Sequence, residues 1–270
     1  MQIEAMGGVL AVDGPGFSWY NPTQWRGRTF LTEGLNLLVN KEAEGIMSDM
    51  TLAQRYLALR LFDIGAVQFG EFTLKMHEKN PDAPKSPIFF NFRTPDNPKP
   101  GPLTDEVLEL VGKVLYSRAL KEGLSYDHIA GIPNAGGPLA EAFFRAEGVG
   151  IGAHIPLSFK KLQEGDKRRI GEMIGDNFTD NDQVMLIDDL ITEADTKFEA
   201  IRETEKAGLV VNEVLVLLDR EQGGRQQLET RGYHLIAIYQ LSDLLGYFVF
   251  AGLIDQTMAD KVTTYIKTNS

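Results

Sequence analysis

The stretch Val184–Lys197, VMLIDDLITEADTK, constrains the fold of this chain more than any other. Four apolar residues, Val184 to Ile187, run unbroken into two carboxylates, Asp188 and Asp189. Such a run suits a strand buried on both faces of a parallel sheet, since a strand with one face in water would alternate. A helix follows, with Thr196 and then Glu199 three residues on in the pattern of a capping box. The loop Thr192–Thr196 therefore joins a buried strand to a helix N-terminus. Such a junction offers unbonded backbone N–H groups at the positive end of a helix dipole, which suits a phosphate. Two acids just ahead of it suit the hydroxyls of a sugar, or Mg²⁺ held through water.

Strand and helix patterns alternate on either side of that stretch. Tyr126–Pro133, Val149–Leu157, Val210–Leu218 and Tyr233–Tyr239 read as strands. Thr51–Phe62 and Leu103–Leu120 read as helices, the second closed by Gly123, and Lys197–Ala207 is closed by Gly208. Leu241–Phe250 and Ala259–Lys267 are helical as well. The expected fold class is α/β, a parallel sheet flanked by helices with ligands at the strand C-termini. Ser158–Gln183 is long for a connection inside a compact domain, which suggests a lid. With Lys160, Lys161, Lys167, Arg168 and Arg169 it is also the most basic stretch. Met1–Met50, with Phe17, Trp19, Tyr20, Trp25 and Phe30, reads as an extension packed on the main domain by its aromatics. The domain proper is then 51–270, divided into a hood over 51–102, a core over 103–240 and C-terminal helices over 241–270.

Charge narrows the function further. Among 270 residues there are 38 acidic and 27 basic side chains, a formal net charge of −11, which argues against nonspecific nucleic-acid binding. A site for an anionic substrate must therefore be assembled from local basic residues. The chain has no cysteine, so disulfides and thiol chemistry are excluded and a cytoplasmic location is expected. No basic segment followed by an apolar one opens the sequence, so no signal peptide is expected. The longest mostly apolar run, Leu244–Ile254, is too short to span a bilayer, and no membrane partner is expected.

The hydrophobic run, two acids, two apolar residues and Thr192 resemble the ribose-phosphate loop of type I phosphoribosyltransferases. The stretch Val214–Gly224, VLVLLDREQGG, resembles the orotate phosphoribosyltransferase branch, and especially the phosphoribosyltransferase half of UMP synthase. LFDIGAVQFGEFTLK at Leu61–Lys75 and SPIFFNFR at Ser86–Arg93 resemble that family's N-terminal segment. The resemblance runs from about Leu52 to Ile266. It implies transfer of ribose 5-phosphate from phosphoribosyl pyrophosphate (PRPP) to orotate, with Mg²⁺ as cofactor, in a homodimer. It implies that Asp188 and Asp189 hold the ribose hydroxyls and the metal side, and that Thr192 and Thr196 hold the 5-phosphate. Arg220 would bind orotate, a task that suits the planar donor fork of a guanidinium. Phe89 and Phe90 would lie over the pyrimidine, and Lys75 would reach the substrates. Lys161 would clamp pyrophosphate from the lid, and Asp189 counts among the catalytic groups. The family's next lid lysine falls on Glu164, and a shift of register brings Lys167 into that role.

The sequence departs from the family at Asn134, Ala135, Glu164, Glu193, Ala194 and Asp195, all on the phosphate and pyrophosphate side. Backbone amides at Ala135–Gly137 remain suited to an anion. Glu193 and Asp195 place carboxylates beside a phosphate, with Lys197 near enough to offset part of their charge. Two other readings stand beside the transferase: a non-catalytic protein of this fold that binds a pyrimidine or nucleotide, and a transferase for another base.

Overall fold

The computed structural model describes residues 50–73, 80, 82–148, 156–164, 167–175 and 178–269. The chain divides into two units, Met1–Ser48 and Asp49–Ser270. The N-terminal aromatic segment, the strand expected over Val149–Leu157 up to residue 155, and Lys75 lie outside the described residues.

Helix α1 (Leu52–Asp63) opens the domain. Its N-cap Thr51 accepts from the Gln54 amide at 3.2 Å, and Gln54 Oε1 accepts from the Thr51 amide at 2.8 Å, a reciprocal capping box. An antiparallel pair follows, β1 (Val67–Phe72) with β2 (Ser86–Phe90). Helix α2 (Asp105–Glu122) is capped by Thr104 and stopped by Gly123, whose φ of 65° is left-handed, as its sequence position predicts.

The core is a four-stranded parallel sheet. Its strands are β3 (His128–Gly131), β6 (Val184–Ile191), β7 (Glu213–Asp219) and β8 (His234–Gln240), in the order β3-β6-β7-β8. Helix α3 (Gly136–Glu147) follows β3, α4 (Asp195–Lys206) follows β6, and α5 (Gly224–Glu229) follows β7. The chain ends with α6 (Leu241–Phe250) and α7 (Gln256–Thr268). Between α3 and β6 lies an antiparallel ribbon, β4 (Ser158–Glu164) and β5 (Lys167–Ile174). Leu157, just before it, bridges Ala130 in parallel and so continues the sheet beyond β3.

The unbroken apolar run of β6 is buried on both faces, as a central parallel strand requires. Val184, Leu186, Val214, Val216, Leu235 and Ala237 pack with Ala200 and Ile201 of α4 and with Phe159, Ile170 and Met173 of the ribbon. The alternating residues Met185, Ile187, Leu215, Leu217 and Ile236 are equally buried, on the face covered by α2 and α3. This is the parallel sheet flanked by helices that the sequence predicts. It fixes the C-terminal ends of β3, β6 and β7 side by side, where Gly131, Ile191 and Asp219 each lead into a loop.

Candidate active site

A cleft of about 1400 Å³ opens at those strand ends. Four segments line it: Arg93, Asn97 and Lys99 after β2; Pro133–Ala135 after β3; Asp188–Leu190 at the end of β6; and Asp195–Glu199 at the start of α4, with Ile201, Arg202 and Glu205 further along. Arg169 of β5, Arg231 and Tyr233 complete the wall.

The acid pair sits at its base. Asp188 is buried, 5% exposed, and both its oxygens are engaged. Oδ1 accepts from the Asp189 amide at 2.9 Å and Oδ2 from Lys197 Nζ at 2.7 Å. Lys197, equally buried, also donates to the Leu190 carbonyl at 2.6 Å. It therefore does not offset the charge of Glu193 and Asp195, as its position in sequence suggests, but turns inward to the sheet. Asp189 Oδ1 accepts from the Leu190 amide at 2.8 Å. Loss of water in the cleft pushes the Asp189 carboxyl up to about 7, and the charge of Asp188 adds to the rise. Lys197, the Leu190 hydrogen bond and Arg93 oppose it.

The loop after β6 is shaped differently from the capping box expected at Thr196. Helix α4 begins two residues earlier than that box implies, at Asp195, with Ala194 as N-cap and no side-chain cap. Glu199 instead accepts from the Ile170 amide of β5 at 3.3 Å, tying the ribbon to the helix. The Ala194 amide donates to Gln227 Oε1 at 3.0 Å. Ala194 has φ −92°, so this position asks for no glycine. Glu193, Asp195 and Thr196 are exposed, and Asp195 and Thr196 face the cleft. The first-turn amides of α4 have no intrahelical carbonyl to bond and remain suited to an anion.

The neighbouring loops fit closely. A Cβ at Gly136 would lie 2.3 Å from the Ile187 carbonyl oxygen, so the loop after β3 rests on β6 only because that residue is glycine. The Gly136 amide donates to the Ile132 carbonyl at 2.9 Å, which withdraws one of the three amides expected to hold an anion there. A Cβ at Gly224 would lie 2.7 Å from the Thr192 carbonyl oxygen, to which the Gly224 amide donates at 3.0 Å. The turn Asp219–Gly224 is thus held against the loop after β6.

Within that turn, Asp219 accepts from Arg225 Nε at 2.9 Å and from the Glu221 amide at 2.9 Å. Glu221 accepts from the Ser242 amide at 2.6 Å and fixes the turn to the start of α6. Arg220 lies over the Phe90 ring, 5.7 Å from its centroid. Its Nε is buried with no hydrogen-bond partner among the described residues, and burial pulls the guanidinium below its usual range. Phe90 is buried, while Phe89 stacks on Phe72 at 5.5 Å on the opposite side of the strand.

The sequence-predicted residues therefore do not all meet in the cleft. Asp188, Asp189 and Thr196 line the cleft, whereas Thr192, Phe89, Phe90, Arg220 and Lys161 do not. Lys161 is exposed on β4, and Lys167 opens β5 with its side chain outside what the structure describes. Sequence reasoning missed Arg93, Asn97 and Lys99, which bring cationic and amide groups to the cleft, and the inward role of Lys197. Arg93 closes the SPIFFNFR motif, which was the available signal.

No protein-family model matches the chain. It is 32% identical over 203 residues to orotate phosphoribosyltransferase of Xanthomonas axonopodis pv. citri (strain 306), a match covering 72% of this chain and 85% of that protein. The chain belongs to the orotate phosphoribosyltransferase family. That family consists of enzymes of the glycosyltransferase class. The chain is also 26% identical over 218 residues to uridine 5'-monophosphate synthase of Bos taurus, covering 79% of this chain and 41% of that protein. The solved structure of Leishmania donovani UMP synthase matches with a TM-score of 0.61 at 27% identity, over 79% of this chain and 42% of that one. The chain thus spans less than half the length of these two synthases.

An orotate phosphoribosyltransferase implies Mg²⁺. Among the described residues no group of three or more His, Asp or Glu side chains converges as a metal cage. With Asp188 engaged by Lys197 and by a backbone amide, the acid pair on its own does not fit a divalent metal. Nor, among the described residues, is any helix long and apolar enough to cross a membrane.

Proposed function

We propose that this chain transfers ribose 5-phosphate from PRPP to orotate, giving orotidine 5'-phosphate and pyrophosphate in pyrimidine nucleotide biosynthesis. The observation that carries the reading is the cleft at the strand ends, where an acid pair, the start of a helix and the cations Arg93, Lys99 and Arg169 meet in a chain of this family. In the proposed reaction the orotate ring nitrogen attacks the anomeric carbon and releases its proton to solvent. The bond from that carbon to pyrophosphate breaks, and pyrophosphate leaves with the electron pair. No covalent protein nucleophile is needed, and rate comes from positioning and from stabilising the leaving anion.

Asp189 is assigned to the ribose hydroxyls, with Asp188 behind it. Thr192, Thr196 and the first-turn amides of α4 are assigned to the 5-phosphate. Arg93, Lys99 and Arg169 are assigned to pyrophosphate, with Lys75, Lys161 and Lys167 as further cations from the hood and the ribbon. Arg220 over Phe90, with Phe89, is assigned to orotate, and the buried Arg220 Nε, which has no hydrogen-bond partner among the described residues, supports that role. We retain Mg²⁺ as the cofactor, with the phosphates of PRPP supplying its oxygen ligands. A cytoplasmic homodimer completes the proposal.

The test is to mix the chain with Mg²⁺, PRPP and orotate and to follow both the loss of orotate absorbance and the release of pyrophosphate. Both signals should appear together and depend on PRPP. Orotate binding without pyrophosphate release would replace the transferase by a binding protein of the same fold.

A further inference from the structure

Lys197 occupies an unusual seat. Its ammonium is buried at the end of β6, 2.7 Å from Asp188 Oδ2 and 2.6 Å from the Leu190 carbonyl oxygen. A carboxylate and a backbone carbonyl are the hard oxygen donors that a small cation takes. A lysine this far from water is tolerated because its charge is matched by one buried carboxylate at hydrogen-bond distance. Both acids line the cleft, but Asp188 is left with no unengaged oxygen, while Asp189 Oδ2 takes no hydrogen bond from any described residue.

We propose that Lys197 is a built-in cation that takes the place of a divalent metal at the acid pair, engaging Asp188 so that Asp189 alone meets the substrate. Lys197 and Asp188 are then positioning residues. The ion pair fixes the end of β6 and sets the angle at which Asp189 enters the cleft, and metal is excluded from the protein's own carboxylates. The last clause about substrate rests on the phosphoribosyl-transfer reading; the exclusion of metal does not.

The experiment measures Mn²⁺ uptake by electron paramagnetic resonance, with neither PRPP nor orotate present, so it stands whether or not the chain transfers ribose phosphate. Wild type should take up no Mn²⁺ at the acid pair. Lys197→Met should gain one bound Mn²⁺ per chain, at least about tenfold tighter than any uptake by wild type, because Asp188 and the Leu190 carbonyl are released. Adding Asp188→Asn should abolish the new site. Wild-type uptake that Asp188→Asn removes would overturn the proposal, as would a folded Lys197→Met protein that binds no Mn²⁺. If Lys197→Met alone fails to fold, the proposal requires the neutral pair Lys197→Met with Asp188→Asn to fold; a double variant that also fails overturns it.

Discussion

The guanidinium of Arg220 lies over the ring of Phe90, 5.7 Å from its centroid, with its Nε buried and without a hydrogen-bond partner among the described residues. Two segments of the chain, the β7 turn and strand β2, thus meet around a cation that lies over a ring face and whose Nε has no acceptor among the described residues. In the proposed reaction an orotate carboxylate or ring carbonyl supplies the missing acceptor. Arg220→Ala should weaken orotate binding by about 2 kcal/mol, the scale of a charge-assisted hydrogen bond. Calorimetry on the two proteins measures it, and unchanged orotate affinity would remove Arg220 from the site.

Asp189 gives a pH prediction with a definite sign. Its carboxyl titrates near 7 in the folded chain, above the usual carboxylate range, chiefly through loss of water and the neighbouring Asp188. The folded state therefore holds this proton more tightly than the unfolded state does. Stability is full below the unfolded value and falls as pH rises toward and through about 7, where the charge must be carried in the cleft. Asp189→Asn keeps an acceptor for the Leu190 amide and removes the charge. Its melting temperature should exceed that of wild type at pH 8, and the gap should close as pH is lowered toward 4. A gap that stays constant between pH 8 and pH 4 would mean that Asp189 is ionised throughout.

The ribbon is expected to act on turnover and not on stability. Lys161 is exposed on β4, and on the neighbouring strand Arg169 lines the cleft beside Ile170, whose amide is tied to Glu199. Lys161→Ala should leave stability within about 0.5 kcal/mol, as exposed substitutions generally do. Turnover with PRPP should fall about tenfold, equivalent to roughly 1.4 kcal/mol of transition-state stabilisation. Steady-state kinetics and thermal melts on the same samples separate the two. Wild-type turnover in Lys161→Ala would shift the pyrophosphate contact to Arg169.

The main elements were readable in the sequence because they rest on local rules. VMLI suits burial on both faces of a parallel sheet, and Gly123 could stop α2 because it adopts φ 65°. What was hidden depends on pairings distant in the chain. Thr196 and Glu199 have the spacing of a capping box, yet Glu199 is drawn to the Ile170 amide across the ribbon, and α4 starts without a side-chain cap. Lys197 has the spacing of an exposed helix residue, but its third position in α4 points it back at Asp188. Arg93 and Lys99 join the acid pair only through the packing of the segment after β2, which no periodicity records.

The loop after β6 carries the last prediction. Its sequence places Glu193 and Asp195 beside the expected seat of a dianionic phosphate, and both side chains are exposed. Lys197 offers them no compensation, since it is bound to Asp188 and the Leu190 carbonyl. Ala194, at φ −92°, is unstrained, so the absence of glycine is not the obstacle and charge is. At about 4 Å in bulk water two unit charges interact by about 1 kcal/mol, and salt reduces this further for exposed groups. Asp195 opposes the change, because an acid in the first turn favours the helix dipole by about 0.3–1 kcal/mol. Glu193→Ser with Asp195→Ser should therefore tighten PRPP binding several-fold at low salt, lose most of that gain at high salt, and leave α4 slightly less stable. The measurement is PRPP affinity with Mg²⁺ for both proteins at two ionic strengths. Equal affinities would mean that both carboxylates turn away from the phosphate, and weaker binding in the double variant would give one of them a positive role in the site.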